Sequence, residues 1–303
     1  MKNNVKLVAL ACADLHLSLE APACRADTDW LAVQARYLQQ LEREAQGLPI
    51  LCAGDIFDRW NPPTELIYFA LVHLPKGMWC VPGQHDLPYQ RLDLLHRSGY
   101  GVLVEAGKIY SLLSGPMPLT SSMQAYGFGW EETITPPSKP TTALSIAVVH
   151  RYCWESNRSR FPDAPEQAHI NAHRSTLGRH YHLALFGDNH IPFTAMCGEC
   201  RVENCGVFIR RKHDEIKLSP SVVRIYSDGS TDRLPLDTSM DLFRSTDELS
   251  ASEAPIDMRE FLQKLESLKD PDLDFRLIVR KHIKSQKDLI SPQVREILLT
   301  SIE

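Results

Sequence analysis

Met78-Trp79-Cys80-Val81-Pro82-Gly83-Gln84-His85-Asp86 is the stretch that decides the fold. Its first four residues are a short apolar run, which predicts a buried strand. Pro82 and Gly83 stop the run, and an amide, an imidazole and a carboxylate follow in succession. In α/β sheets, ligands gather outside the carboxyl ends of the strands, so polar residues crowded here predict a site. Four other apolar runs end the same way. Residues 5–13 lead into Asp14-Leu15-His16, and residues 49–53 into Gly54-Asp55-Ile56-Phe57-Asp58. Residues 144–149 lead into His150, and residues 183–186 into Gly187-Asp188-Asn189-His190.

Between these runs the periodicity is helical. Thr28 or Asp29 opens a helix with Trp30, Val33, Tyr37, Leu38 and Leu41 on one face, stopping near Gly47-Leu48-Pro49. Residues 65–74 form an apolar helix after Asn61-Pro62-Pro63, and residues 87–97 a third, shorter one. Strand–helix repeated three times predicts parallel strands joined by crossover helices. Residues 101–106 and 109–113 read as strands, with Pro/Ser/Thr-rich loops at 114–122 and 133–142. Residues 151–182 form a polar insertion carrying Arg151, Arg158, Arg160, Arg174 and Arg179.

After residue 190 the period shortens to strands and turns. Residues 193–205 read as a hairpin turning at Gly198, and residues 222–226 and 231–236 flank Asp228-Gly229, a strong hairpin signal. These antiparallel strands are expected to contribute to a second sheet. Residues 238–256 read as an acidic linker, 258–268 as an amphipathic helix, 275–283 as a strand, and Ser291-Pro292 as the start of a last helix. The expected division is a domain over 1–237 and a small α+β cap or tail over 238–303.

The bulk properties narrow the class. The chain has 303 residues, 43% hydrophobic and 23% charged, which suits a globular protein. Its net charge of −5 supplies no global basic field toward nucleic acid or membrane. Of eight cysteines, Cys12, Cys52 and Cys80 lie within apolar runs and read as core residues, so a reducing, cytoplasmic setting is expected. Cys197-x-x-Cys200 with Cys205 reads as a hairpin with incidental thiols rather than a zinc site. Leu7–Ala13 reads as a first strand rather than a signal peptide, because Asp14 follows at once. No run approaches the roughly 18 apolar residues of a membrane span.

The strand ends carry the chemistry. Carboxylates and imidazoles converging on one edge shift each other's pKa values unless something balances them. Two divalent cations and a bridging hydroxide would balance Asp14, Asp55 and Asp188. The donors are oxygen and imidazole nitrogen without thiolate, which suits manganese, iron or zinc. Ions about 3.5–4 Å apart ready a water for attack on phosphorus.

Taken together, Asp14-Leu15-His16, Gly54-Asp55-Ile56-Phe57-Asp58, Gly83-Gln84-His85-Asp86, His150 and Gly187-Asp188-Asn189-His190 resemble the calcineurin-like metallophosphoesterases. Within that superfamily the first two fragments look most like the SbcD-type exonuclease subunits of DNA double-strand-break repair. The resemblance spans about residues 5–236. It implies a four-layer α/β/β/α sandwich of two mixed sheets and a dinuclear site, manganese-preferring, with iron, zinc or magnesium as substitutes. One metal would be held by Asp14, His16, Asp55 and His190. Asp55 would bridge to a second, held by Gln84, His150 and Asp188. His85 would face the phosphate and the leaving group, and Asp86 would orient His85. Asp58 reads as a hydrogen-bonding neighbour rather than a ligand.

Three positions depart from the family pattern: Gln84 replaces an Asn, Asp188 replaces a His, and Arg151 stands where a second His would follow His150. Arg151 would contact a substrate phosphate. The insertion arginines with Arg210-Arg211-Lys212 read either as backbone-phosphate contacts or as solvated loop charge, and Trp60 and Trp154 either as base-stacking or as packing residues. The expected activity is a dinuclear phosphodiesterase cleaving DNA. The alternatives are a phosphoesterase for a small nucleotide or lipid-sugar phosphate, and a scaffold that has lost one metal. DNA is the expected partner, with a coiled-coil ATPase and a homodimer as further expectations.

Overall fold

Alternation along the first strand sets the layering. In β1 (Leu7–Cys12), Leu10 and Cys12 face a core shared with helices, whereas Ala9 and Ala11 face a second core shared with another sheet. A strand buried on both faces reads as an unbroken apolar run, and the small alanines let the two sheets approach. The structure, a computed structural model, describes residues 5–137 and 143–245.

From β1 the chain enters α1 (Trp30–Ala45). Asp29 caps it by accepting from the Ala32 N–H at 2.9 Å, and Gln46 ends it in the left-handed region at φ 51°. Trp30, Val33, Tyr37, Leu38 and Leu41 form its buried face, as the spacing predicts. Then follow β2 (Ile50–Cys52), α2 (Thr64–His73) and β3 (Met78–Cys80), each close to its expected span. Cys12, Cys52 and Cys80 lie in register across β1, β2 and β3, and all eight cysteines are free and buried.

Two expectations fail in the next segment. Residues 87–97, expected as a helix, wind as short 3-10 turns at Pro88–Gln90 and Leu92–Arg97. Of residues 101–106, expected as a strand, all but the capping Ala106 belong to α3 (Gly99–Glu105). The β-branched Val102 and Val104 suggested a strand, but Ser98 caps the segment by accepting from the Gly101 N–H at 3.1 Å. Tyr100 and Leu103 then meet the helical core. Tertiary packing outweighs the weak β propensity here.

After β4 (Tyr110–Ser111) the chain crosses to the second sheet through β5 (Met117–Thr120) and β6 (Met123–Phe128). The first of these lies inside a stretch expected to be loop, and the second has no counterpart in the sequence reading. There follow β7 (Leu144–His150), the insertion with its short helix α4 (Leu177–His180), β8 (Leu183–Gly187), and the hairpin of β9 (Phe193–Cys197) and β10 (Cys200–Asn204). A second hairpin, β11 (Ser221–Tyr226) and β12 (Thr231–Pro235), closes the sequence of strands.

The two sheets have six strands each, in the orders β12-β11-β1-β2-β3-β4 and β5-β6-β7-β8-β10-β9. Each is mixed: β1 to β4 and β6, β7, β8, β10 run parallel, with antiparallel strands at the margins. The two hairpins thus go to different sheets, and only β9–β10 belongs to the second. One core lies between α1–α3 and the first sheet, one between the sheets, and one between the second sheet and the insertion, where Ile170, Leu177 and Tyr181 pack on Phe186. The parallel strands of both sheets deliver their carboxyl ends to one edge.

Beyond β12 the chain returns to α1. Asp241, in the stretch expected to be linker, accepts hydrogen bonds from Arg25, Arg36, Tyr37 and Arg210 at 2.5–3.1 Å, and its side chain is 1% exposed. The expected elements at 258–268, 275–283 and 291 onward lie outside the described residues. Among the described residues no helix is long and apolar enough to cross a membrane. Replacing Asp241 by Ala leaves Arg36 and Arg210 without a carboxylate and Arg25 with Asp27 alone, so a loss of about 3–5 kcal/mol is expected in chemical denaturation. A loss within the experimental error would show that Asp241 does not anchor this segment.

Candidate metal centre

The backbone at the strand ends turns where it seldom turns. Asp14 (φ 55°), His16 (φ 44°), Asp55 (φ 53°) and Asp188 (φ 78°) all sit at positive φ. A side chain other than glycine enters this region at a cost, and Asp, Asn and His enter it more readily than most. The turns swing these side chains off the sheet edge toward each other. Gly54 and Gly83 make the closeness possible. A Cβ on Gly54 would overlap the His150 ring, and one on Gly83 would overlap the Asp55 carboxylate.

The result is a set of interlocking donor groups. Three of them hold their candidate ligand atoms within 4.8 Å: Asp14, His16 and His190; His16, Asp55 and His85; and Asp14, Asp55 and His150. Asp55 Oδ1 accepts the His85 N–H at 3.0 Å, which leaves Oδ2 buried with no hydrogen-bond partner. His150 Nε2 and His16 Nε2 stand 3.4 and 3.7 Å from that oxygen. A buried carboxylate oxygen without a partner is costly. A cation placed among these atoms would remove the cost.

The imidazoles are turned to suit an ion. His150 Nδ1 lies 2.5 Å from the Ala53 carbonyl, and His190 Nδ1 lies 2.5 Å from Glu215 Oε1. Each acceptor takes the proton of Nδ1 and so turns Nε2 inward. The Nε2 atoms of His16 and His190 face each other at 3.3 Å. Two nitrogens each about 2.1 Å from one ion, at tetrahedral to right angles, lie roughly 3.0–3.4 Å apart. The donor set therefore fits a divalent cation.

Gln84 joins the second half of the cluster. Its Oε1 lies 2.6 Å from His150 Nε2, and its Nε2 donates to Asp188 Oδ1 at 2.8 Å. The Asp188 N–H in turn donates to both carboxylate oxygens of Asp14 at 3.1 Å. The seven residues expected as ligands are thus brought to one place.

Two residues do not stand where the sequence reading put them. Asp86 does not touch the His85 ring. Its carboxylate accepts the N–H groups of Ile56, Phe57 and Gly83 at 3.0–3.2 Å and braces the two loops against each other. The His85 ring is oriented instead by its Nδ1 contact of 2.8 Å with the Asp58 carbonyl. Arg151 turns away from the cleft and donates to the Glu132 carbonyl at 2.8 Å. The cations lining the cleft are Arg211, which pairs with Asp58 at 2.8 Å, and Lys212. Of the two tryptophans, Trp154 is buried beneath the Arg160 guanidinium, 4.5 Å from its ring centroid, so it is a packing residue.

Glu215 escaped the sequence reading. It sits far from any strand-end fragment, in a polar stretch, with nothing local to mark it. Its carboxylate holds His190 and accepts the N–H groups of Arg211 and Lys212 at 2.6 and 2.9 Å. The cleft itself is open, about 480 Å³, and Tyr152 and Phe161 of the insertion form part of its wall.

The charges follow from burial and proximity. Burial pushes the Asp14 carboxyl up to about 7, with His190 and His150 pulling the other way. Burial also opposes the charge on Asp55, but His150, His16 and His85 hold its carboxyl well below the usual range. Burial works against the charged form of His190, yet the hydrogen bond to Glu215 lifts it above its ordinary value. Burial lowers His16.

The family profile described as calcineurin-like phosphoesterase matches residues 7–177, more than half of the chain. The chain belongs to that family. This phosphoesterase carries Asp188, His190 and Glu215 beyond the matched span, and the fold returns them to the centre. Members of the family typically bind two divalent metals, in keeping with the ligand clusters described above. Solved structures that resemble it include a phosphopantetheinyl hydrolase from Mycobacterium tuberculosis, at 12% identity, with 76% of this chain and 96% of that one covered and a TM-score of 0.40. A metallophosphoesterase from Sphaerobacter thermophilus is 13% identical, with 81% and 92% covered and a TM-score of 0.38. No curated protein matches the sequence.

Two outcomes are expected. Because the Asp14 carboxyl sits near 7, its proton must leave when a cation binds. Calorimetry in buffers of differing ionisation heat should show more protons released at about pH 6 than at about pH 8, with weaker Mn²⁺ affinity at the lower value. Equal release at both would mean that Asp14 does not carry a proton that a cation displaces. Glu215→Gln should weaken Mn²⁺ binding about 10- to 100-fold while leaving the fold intact; unchanged affinity would remove Glu215 from the support of His190.

Proposed function

We propose that this phosphoesterase is a two-metal phosphodiesterase that hydrolyses DNA, akin to the SbcD-type repair nucleases. The observation that carries the proposal is Asp55, whose partnerless Oδ2 is approached by an imidazole from each of two overlapping donor groups at the floor of an open cleft. In the proposed assignment Asp14, His16 and His190 hold one ion, Gln84, His150 and Asp188 the other, and Asp55 is shared. When bound, two divalent ions acidify a water and neutralise charge on the phosphate oxygens.

The remaining steps belong to side chains. His85 stands beside His16, with ring centroids 4.8 Å apart, and its Nδ1 is fixed on the Asp58 carbonyl. With Nδ1 held there, Nε2 is the ring atom through which a proton would pass to the departing oxygen. Lys212 and Arg211 at the rim supply positive charge for a flanking phosphate. The open cleft suits a chain passing through rather than a ligand enclosed.

The net charge of −5 favours a second reading, a small phosphoester as substrate. One assay separates the two. Mn²⁺-dependent cleavage of single- and double-stranded oligonucleotides is expected, and His85→Ala should lower the rate about 10²- to 10⁴-fold. Turnover of small diesters with DNA left intact would support the second reading, and no cleavage of either would sink both.

A further inference from the structure

Beside the metal cleft lies a smaller hollow of about 330 Å³ that shares Asp58, Gln84 and His85 with it. Its own wall is aromatic: Trp60 and Tyr89, ring centroids 5.9 Å apart and inclined at 41°. Tyr89 is 76% exposed. Its backbone is also held out of the ordinary regions, with φ 54° at Tyr89 and φ 59° at Gln90. Two successive residues in the left-handed region are strained unless the neighbourhood enforces them. Here the 3-10 turn at Pro88–Gln90 displays the ring while Trp60 backs it from one side.

We propose that Trp60 and Tyr89 form a nucleobase subsite, on which the base next to the scissile phosphate stacks, on the side of the departing oxygen that His85 serves. The inference rests on the phosphodiesterase reading for its orientation and supplies what that reading lacks, a means of recognising a nucleotide. Stacking on an exposed aromatic ring accepts any base, since each has a π face. The amides of Asn61 and Gln90 line the same hollow and offer both donors and acceptors to a base edge. The hollow opens onto His85, so a sugar bound to a phosphate over the cleft would carry its base toward Tyr89. A solvated loop tyrosine would need neither the backing ring nor the strained turn.

The test is equilibrium binding to the Mn²⁺-loaded protein, followed by calorimetry, with AMP compared against ribose phosphate. The two probes share sugar and phosphate and differ only in the base. AMP should bind about tenfold more tightly. Tyr89→Asn removes the ring yet suits the left-handed backbone, and should bring the ratio of the two affinities to near one. Tyr89→Phe should keep the wild-type ratio, and Trp60→Ala should reduce it. Equal affinities in the wild type, no detectable AMP binding at millimolar concentration, or an unchanged ratio in Tyr89→Asn would each overturn the subsite. DNA cleavage together with equal affinities for AMP and ribose phosphate would defeat this inference alone, whereas tighter AMP binding without DNA cleavage would defeat the nuclease reading alone.

Discussion

A single carboxylate oxygen, Asp55 Oδ2, stands without a hydrogen bond in the interior while imidazoles approach it from two sides of a cluster. Leaving such an atom unpaired costs on the order of 1–3 kcal/mol, more when it is charged. The rest of the centre can be understood as the arrangement that keeps this oxygen bare. Its sister oxygen is occupied by the His85 N–H. Gly54 and Gly83 carry no Cβ that would push the neighbouring loops apart. Asp86 accepts three backbone N–H groups and so bridges the loops that carry Asp55 and His85.

The precision of the cluster comes from the layers behind it. Ala9, Ala11, Ala13 and Ala53 fill the space between the sheets with little bulk, so β1 and β2 lie close to β7 and β8. His150 reaches across that gap to the Ala53 carbonyl, and Asp188 reaches across to Asp14. Both contacts join one sheet to the other through groups that also face the cleft. Catalytic constellations hold their geometry best when rigid elements carry them and neighbouring hydrogen bonds lock their rotamers. Here the same bonds serve packing and chemistry together.

How much of this was legible follows from how local each signal is. The parallel strands announced themselves because burial on both faces makes a run continuously apolar, and their polar ends marked the seven expected ligand positions. The start of α1 was narrowed to Thr28 or Asp29, and the hydrogen bond to the Ala32 N–H selects Asp29. What failed to show were features decided at a distance. Val102 and Val104 look like strand residues until Ser98 and the packing of Tyr100 and Leu103 turn them into α3. β5, an edge strand, hid in Pro/Ser/Thr-rich sequence, and β6 in unmarked sequence. The direction of the Asp86 carboxylate and the turning away of Arg151 depend on which backbone groups fold brings near. Glu215 could be found only through space.

The left-handed turns at Asp14, His16, Asp55 and Asp188 have a bearing on how this sequence can drift. Even where chemistry would tolerate a replacement, the main chain admits few: Asn, Gly and the short polar residues settle there, and branched or bulky ones do not. Asp188 shows the filter at work. Its short carboxylate side chain is one of the few that this conformation accepts. Exchange at these strand ends is therefore limited by the shape of the peptide as well as by the chemistry of the cluster.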